Sequence, residues 1–115
     1  MQTLRYSEML EDDQKQARER ERIALDRSIE LMDLASQDSA SPADVASAIV
    51  FTNKLWAVLI EDLAAPENGL PAELRAQLVS IGIWVMREME NIRNSEQKDF
   101  ADVIQVSRAI RDGLL

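Results

Sequence analysis

Catalysis near neutral pH most often uses a His as general base and a Ser or Cys as nucleophile. This sequence has no His and no Cys, so Ser–His and Cys–His chemistry is excluded. Carboxylates are the remaining candidates. Glu61 with Asp62, and Glu88 with Glu90, are close in sequence. Successive residues on a helix turn by about 100°, which points such neighbours apart or into solvent, so neither pair makes a catalytic dyad. The run Glu11-Asp12-Asp13 lacks the alternating oxygen ligands and central Gly of a calcium loop, and reads as a polar lead into a helix. The three glycines are isolated, so no Gly-rich loop cradles a phosphate. The expectation is a chain that is not an enzyme, holds no metal or cofactor, and acts by contact with a partner.

The elements that position those contacts follow from composition and pattern. A chain of 115 residues, 46% hydrophobic and 30% charged, has the material for one soluble domain with a core of its own. Thirteen basic against twenty-one acidic side chains leave a formal charge of −8. That balance repels phosphate backbones and anionic headgroups over a Debye length of about 8 Å, so no nucleic acid is expected as partner. The absence of Cys requires no oxidising compartment and favours the cytoplasm. The longest strongly apolar stretch, Leu78 to Met86, is broken by Ser80 and Gly82 and is shorter than the roughly 20 residues of a bilayer span. No membrane association is expected. Met1 to Leu10 contains Arg5 and Glu8 and lacks the apolar core of a signal peptide.

The apolar periodicity predicts four helices. The first runs from about Asp13 to Ala35, with Ile23, Leu25, Ile29, Met32 and Leu34 as its apolar positions and residues 1–12 as a polar, fraying lead. Its first half alternates in charge through Arg18, Glu19, Arg20, Glu21 and Arg22, a solvated face with pairs such as Arg22 to Asp26. Ser41 as N-cap, Pro42 at the first helical position and Asp44 in the first turn open the second helix, which runs to about Leu63. Its stripe of Val45, Ile49, Trp56, Leu59 and Leu63 is flanked by Phe51, Leu55 and Val58, a width that implies more than one neighbour. Pro66-Glu67-Asn68-Gly69 is a turn in which Asn-Gly tolerates the left-handed region, and Pro71 opens the third helix. Leu74, Leu78, Ile81, Val85 and Ile92 form its stripe, with Ile83 and Trp84 beside it; Met86 and Met89 read as core or as an adaptable binding surface. Asp99 caps a fourth helix bearing Phe100, Val103, Ile104, Ile110 and Leu114, with Gly113 as C-cap. Short connections between these elements predict an all-α fold, a small bundle of about four antiparallel helices forming a single domain over 1–115. A hairpin of the second and third helices about Glu67 sets Trp56 level with Leu78 and Trp84 level with Val50, with both indoles inside.

From Phe51 onward the chain reads FTNKLWAVLIEDLAAPENGLPAELRAQLVSIGIWVMRE. Asn53-Lys54-Leu55-Trp56, Asn68-Gly69-Leu70-Pro71, Leu74-Arg75-Ala76 and Trp84-Val85-Met86-Arg87 together resemble the FlaF family of flagellar biosynthesis regulators of alphaproteobacteria. Arg20-Glu21-Arg22 with Leu25, Asp99-Phe100 and the ending Ile110-Arg111-Asp112-Gly113-Leu114 are similar to the family's other segments. The resemblance implies a cytoplasmic, non-enzymatic protein that binds flagellin and supports its production or export alongside an FlbT-like regulator. The alternative is an adaptor that binds such a regulator and controls flagellin expression without holding flagellin.

The residues singled out as partner-binding are Phe51, Asn53, Leu55, Trp56, Val58, Arg75, Ile83, Trp84 and Arg87. Several have a structural reading beside that one. Trp56 and Trp84 are core anchors before they are contacts, because mid-helix Trp with apolar neighbours packs. Asn53 serves either a hydrogen bond to the facing helix or a partner, and Arg75 and Arg87 read as internal pairs or caps. Asn68, Gly69, Leu70 and Pro71 form the turn.

Overall fold

A computed structural model describes residues 2–113 of the chain. Its described residues form four helices and no strand: α1 Gln2–Ala35, α2 Pro42–Ala64, α3 Ala72–Asn94 and α4 Ala101–Gly113. The all-α bundle expected from periodicity is the fold. The helix start at Ser41 is also as read. Asp44 N donates to Ser41 Oγ at 3.1 Å and Ser41 N donates to Asp44 Oδ2 at 2.9 Å, a reciprocal capping box with Pro42 at the first position.

Other boundaries differ for local reasons. α1 begins at Gln2, so the lead expected to fray is helical. Residues 2–12 contain no Gly or Pro, and their apolar residues Leu4, Tyr6, Met9 and Leu10 are cut off from the periodic run at Ile23 by the polar stretch between, so the run alone does not extend the helix back to them. α3 begins at Ala72, with Pro71 outside it as the extended N-cap residue. No described residue has positive φ, so the α2–α3 turn does not use the left-handed region. Asn68 closes it instead: its backbone N–H reaches Ala65 O, its Nδ2 donates to Asp62 O at 3.1 Å, and its Oδ1 accepts from Leu70 N at 3.0 Å. Asp99 accepts from Ala101 N, and the first α4 carbonyl bonded is that of Phe100. Asp99 therefore sits one residue ahead of the cap position. Gly113 is the last residue of α4 and not a left-handed cap beyond it; Leu114 lies outside the described residues.

Two C-termini are closed by distant cations. Arg75 Nη1 donates to Leu63 O and Ala65 O at the end of α2. Lys98 Nζ donates to Ile92 O at 2.8 Å and Arg93 O at 3.0 Å at the end of α3, and to Ser95 O beyond it. Each places positive charge on carbonyls left without helical partners.

α2 packs along both α1 and α3, and α1 also carries α4, while α3 and α4 barely approach one another. The core joins Leu25, Ile29 and Met32 of α1, Ile49, Trp56, Leu59 and Leu63 of α2, Leu78, Val85, Met89 and Ile92 of α3, and Phe100, Val103 and Ile110 of α4. Met89 is core; Met86 is half-buried against it. Ile23 and Leu34, expected on the inner stripe of α1, are exposed, and their places are taken by Ser28 and Ala35. Ser28 Oγ and Thr52 Oγ1 lie 2.7 Å apart in the buried α1–α2 seam. Arg108 pairs with Asp33 and Arg111 with Asp26, tying α4 to α1. The Arg111 pKa is raised by its hydrogen bonds to Asp112 and then Asp26.

The charged first half of α1 is not wholly solvated. Arg18 and Glu21 pair at 2.6 Å with side chains only 18% and 13% exposed, and both line the cleft at the α2–α3 turn. Arg22 pairs with Glu19, not with the expected Asp26, which Arg111 occupies. The Ser28–Thr52 pair sets the α1–α2 register, and Asp13, Gln14 and Ala17 line a cleft with the α2–α3 turn residues Asn68 and Gly69. The start of α1 therefore runs past the turn. This overhang accounts for a long axis of 60 Å against 23 and 19 Å across.

Candidate functional site

The nominated residues do not share one surface. Trp56 is 1% exposed and belongs to the core. A Cβ added at Gly82 would lie 2.7 Å from Trp56 Cε3 and 3.0 Å from Ile60 Cδ1, so this face of α2 meets α3 at Gly82, one helical turn beyond the expected Leu78. Thr52 marks the face toward α1. At about 100° per residue, Leu55, Phe51 and Val58 lie progressively outward on that α1 side. Leu55 and Phe51 are half-buried and Val58 is 62% exposed.

On α3 the same rotation, counted from Gly82, turns Ile83 out to solvent at 43% exposure and carries Trp84 to the flank away from α2. Trp84 is half-buried, so the two tryptophans are not equivalent and only Trp56 is enclosed. Arg87 is exposed, and Arg75 caps α2. Asn53 is half-buried with Oδ1 covered and without a hydrogen-bond partner among the described residues. A groove built from Phe51, Leu55 and Val58 together with Ile83 and Trp84 is therefore excluded by helix geometry.

The surface that does form a cleft lies at the other end of α2. Ala40, Pro42, Val45, Ala46, Ile49 and Val50 line it on one side and Arg93 and Lys98 on the other, enclosing about 550 Å³. Val45 is half-buried, Ile49 is buried, and Val50 is 49% exposed at the rim. The capping box holds the first turn of α2 in place here, and the carbonyls of α3's last turn hold Lys98 opposite. A second cleft, of about 630 Å³ and more polar, lies on the far side of Lys98 between Asp33, Ser36 and the first turn of α4.

The charged side chains lining the apolar cleft, Arg93 and Lys98, are both basic, against a chain total of −8. Arg93 pairs with Glu90 at 3.1 Å, with both side chains more than half exposed, so the pair is weak and exchangeable. Lys98 contacts only carbonyl oxygens, and no carboxylate lies within ion-pair distance of it among the described residues.

Sequence reasoning placed Val45 and Ile49 on a stripe but missed the cleft. The overlooked signal is the mean of α2: an eighteen-residue window has mean hydropathy 1.4, apolar and long enough by composition to cross a membrane, yet only 28% of it is buried. Counting uninterrupted runs had directed attention to α3 instead. α2 lies between α1 and α3, the contacts of a core helix, and the surface it leaves uncovered includes this cleft.

The fold and the cleft together define a small helical-bundle protein with an open apolar surface at one end. Residues 2–114, essentially the whole chain, match the family model of the flagellar protein FlaF, and the chain belongs to that family. It is thus a flagellar protein involved in flagellar biosynthesis. Searches of curated proteins and of solved structures return no match.

Proposed function

We propose that this FlaF-family protein acts in the cytoplasm, without catalysis, as a chaperone-like holder of flagellin that supports its production and export. The observation that carries the reading, beside family membership, is the incompletely covered apolar surface of α2. Flagellin termini are helix-forming apolar segments, and an amphipathic helix seats its apolar face in a groove between helices. Burial of roughly 600 Å² of apolar surface at about 25 cal/mol/Å² gives a gross term near 15 kcal/mol. Lost motion and folding of the bound segment offset much of it, leaving micromolar to nanomolar affinity.

Mixing with intact flagellin gives a stoichiometric complex by gel filtration, a strongly negative binding heat capacity and a gain in helicity. Tight binding by a flagellin lacking both terminal helical regions defeats this reading. Failure to bind flagellin, with a stable complex formed by an FlbT-like regulator, replaces it with the adaptor role.

A further inference from the structure

We infer that the cleft between the start of α2 and the end of α3 receives a helical segment that presents aliphatic side chains with an acidic side chain on one flank, the carboxylate set against Lys98 and Arg93. This deepens the partner-binding reading by naming where the partner docks and the charge pattern it must carry.

Three observations combine. The floor is aliphatic, from Val45, Ile49 and Val50, and nearly half of Val50 is left exposed at the rim by the fold. α2 as a whole is more apolar than its burial accounts for, and Val50 is one of its two exposed large apolar side chains. The wall opposite carries two cations, one paired only with an exposed Glu90 and the other with no carboxylate. All three N–H groups of Lys98 are taken by carbonyl oxygens, so its charge is fixed at the edge of the cleft and attracts a carboxylate through space. Arg93, paired only with an exposed Glu90, is the cation that can exchange to donate to it. A segment with aliphatic residues one turn apart fills the floor, and a carboxylate on its flank answers the wall. A basic helix shares only the aliphatic one, whereas a fatty acid, with one chain and one carboxylate, shares both and is the competitor that the test separates.

The test uses two synthetic helical peptides of about five turns with the same Leu stripe. One has Glu along one flank and the other has Lys at the same positions. Amide chemical shifts of the full chain report where each lands. The Glu peptide shifts Val45, Ile49, Val50, Arg93 and Lys98. The Lys peptide binds about fivefold more weakly or less, as expected for rim charge pairs.

Val50→Asp abolishes binding of the Glu peptide, and Arg93→Glu narrows the preference between peptides, both without loss of helicity because both side chains are exposed. Ile23→Asp, on the exposed face of α1, is the control and binds as the parent does. Equal affinity for both peptides overturns the proposal, as do shifts centred away from the cleft. Dodecanoate that shifts the cleft resonances while neither peptide does assigns the cleft to a lipid chain and also overturns it.

Flagellin added last separates the two readings. If the Glu peptide occupies the cleft and flagellin does not bind, the flagellin reading falls and the cleft assignment stands. If flagellin binds the parent and Val50→Asp alike, the cleft assignment falls and the flagellin reading stands.

Discussion

Trp56 of α2 packs against α3 at Gly82, where an added Cβ would come within 2.7 Å of the indole Cε3. Gly82 is buried and helical, and its lack of a side chain lets the two helices close over the largest buried side chain of the core. Ala is the better helix former by about 1 kcal/mol. Overpacking against a rigid ring costs roughly 1–3 kcal/mol. Gly82→Ala is therefore expected to lower the unfolding free energy despite its propensity, and Trp56→Phe in the same chain to return part of the loss. Denaturant melts of the two single variants and the double variant measure the coupling; simple additivity contradicts the contact.

Ser28 and Thr52 pair their hydroxyls across the buried α1–α2 seam. Ser28→Ala leaves the Thr52 hydroxyl buried without its partner and is expected to cost about 1–3 kcal/mol. Thr52→Val behaves alike. The double variant, which removes both polar groups, should be markedly less destabilised than the sum of the two, and a double-mutant cycle reads the difference.

The two tryptophans separate in stability and in spectrum. Trp56→Ala removes an enclosed indole and is expected to cost about 3–5 kcal/mol. Trp84→Ala removes a half-buried one at the α3 flank and costs less than half of that. With Trp84 replaced by Phe, the remaining emission is blue-shifted and resists acrylamide; with Trp56 replaced by Phe, it is quenched readily. Equal quenching of the two variants contradicts the difference in burial.

Asn53 presents a covered amide oxygen without a hydrogen-bond partner among the described residues. Asn53→Leu removes that desolvated acceptor and improves helix propensity, so a gain of roughly 0.5–1 kcal/mol is expected, a rise of a few degrees in melting temperature. Flagellin affinity stays unchanged, because a covered atom cannot touch a partner without rearrangement. A loss of stability assigns the amide a bond within the bundle, and a loss of affinity assigns it to the partner.

The sequence by itself determined that there are four helices and where the chain breaks between them, but not that α1 extends back to Gln2. Ser41, Pro42 and Asp44 hold a helix start through bonds made within three residues, and Pro66 to Pro71 hold a turn closed by the side chain of Asn68. Such contacts are local, so residue type and spacing suffice to read the Ser41 cap and the place of the turn, though not the closure of that turn by Asn68 without a left-handed residue. The family was legible for the same reason, through short motifs such as Asn53 to Trp56 and Asn68 to Pro71.

The tertiary structure alone decided which flank of each helix is covered. Phe51, Leu55, Ile83 and Trp84 read alike along the chain. The rotation of α3 set by Gly82 against Trp56 sends the last two away from the first two, so these partner-binding candidates do not share one surface. The same registry leaves Val50 half exposed beside Arg93 and Lys98, residues more than forty positions further along the chain. No one-dimensional pattern links them, because their proximity arises only when α2 and α3 close into a hairpin whose register depends on where one side chain is missing.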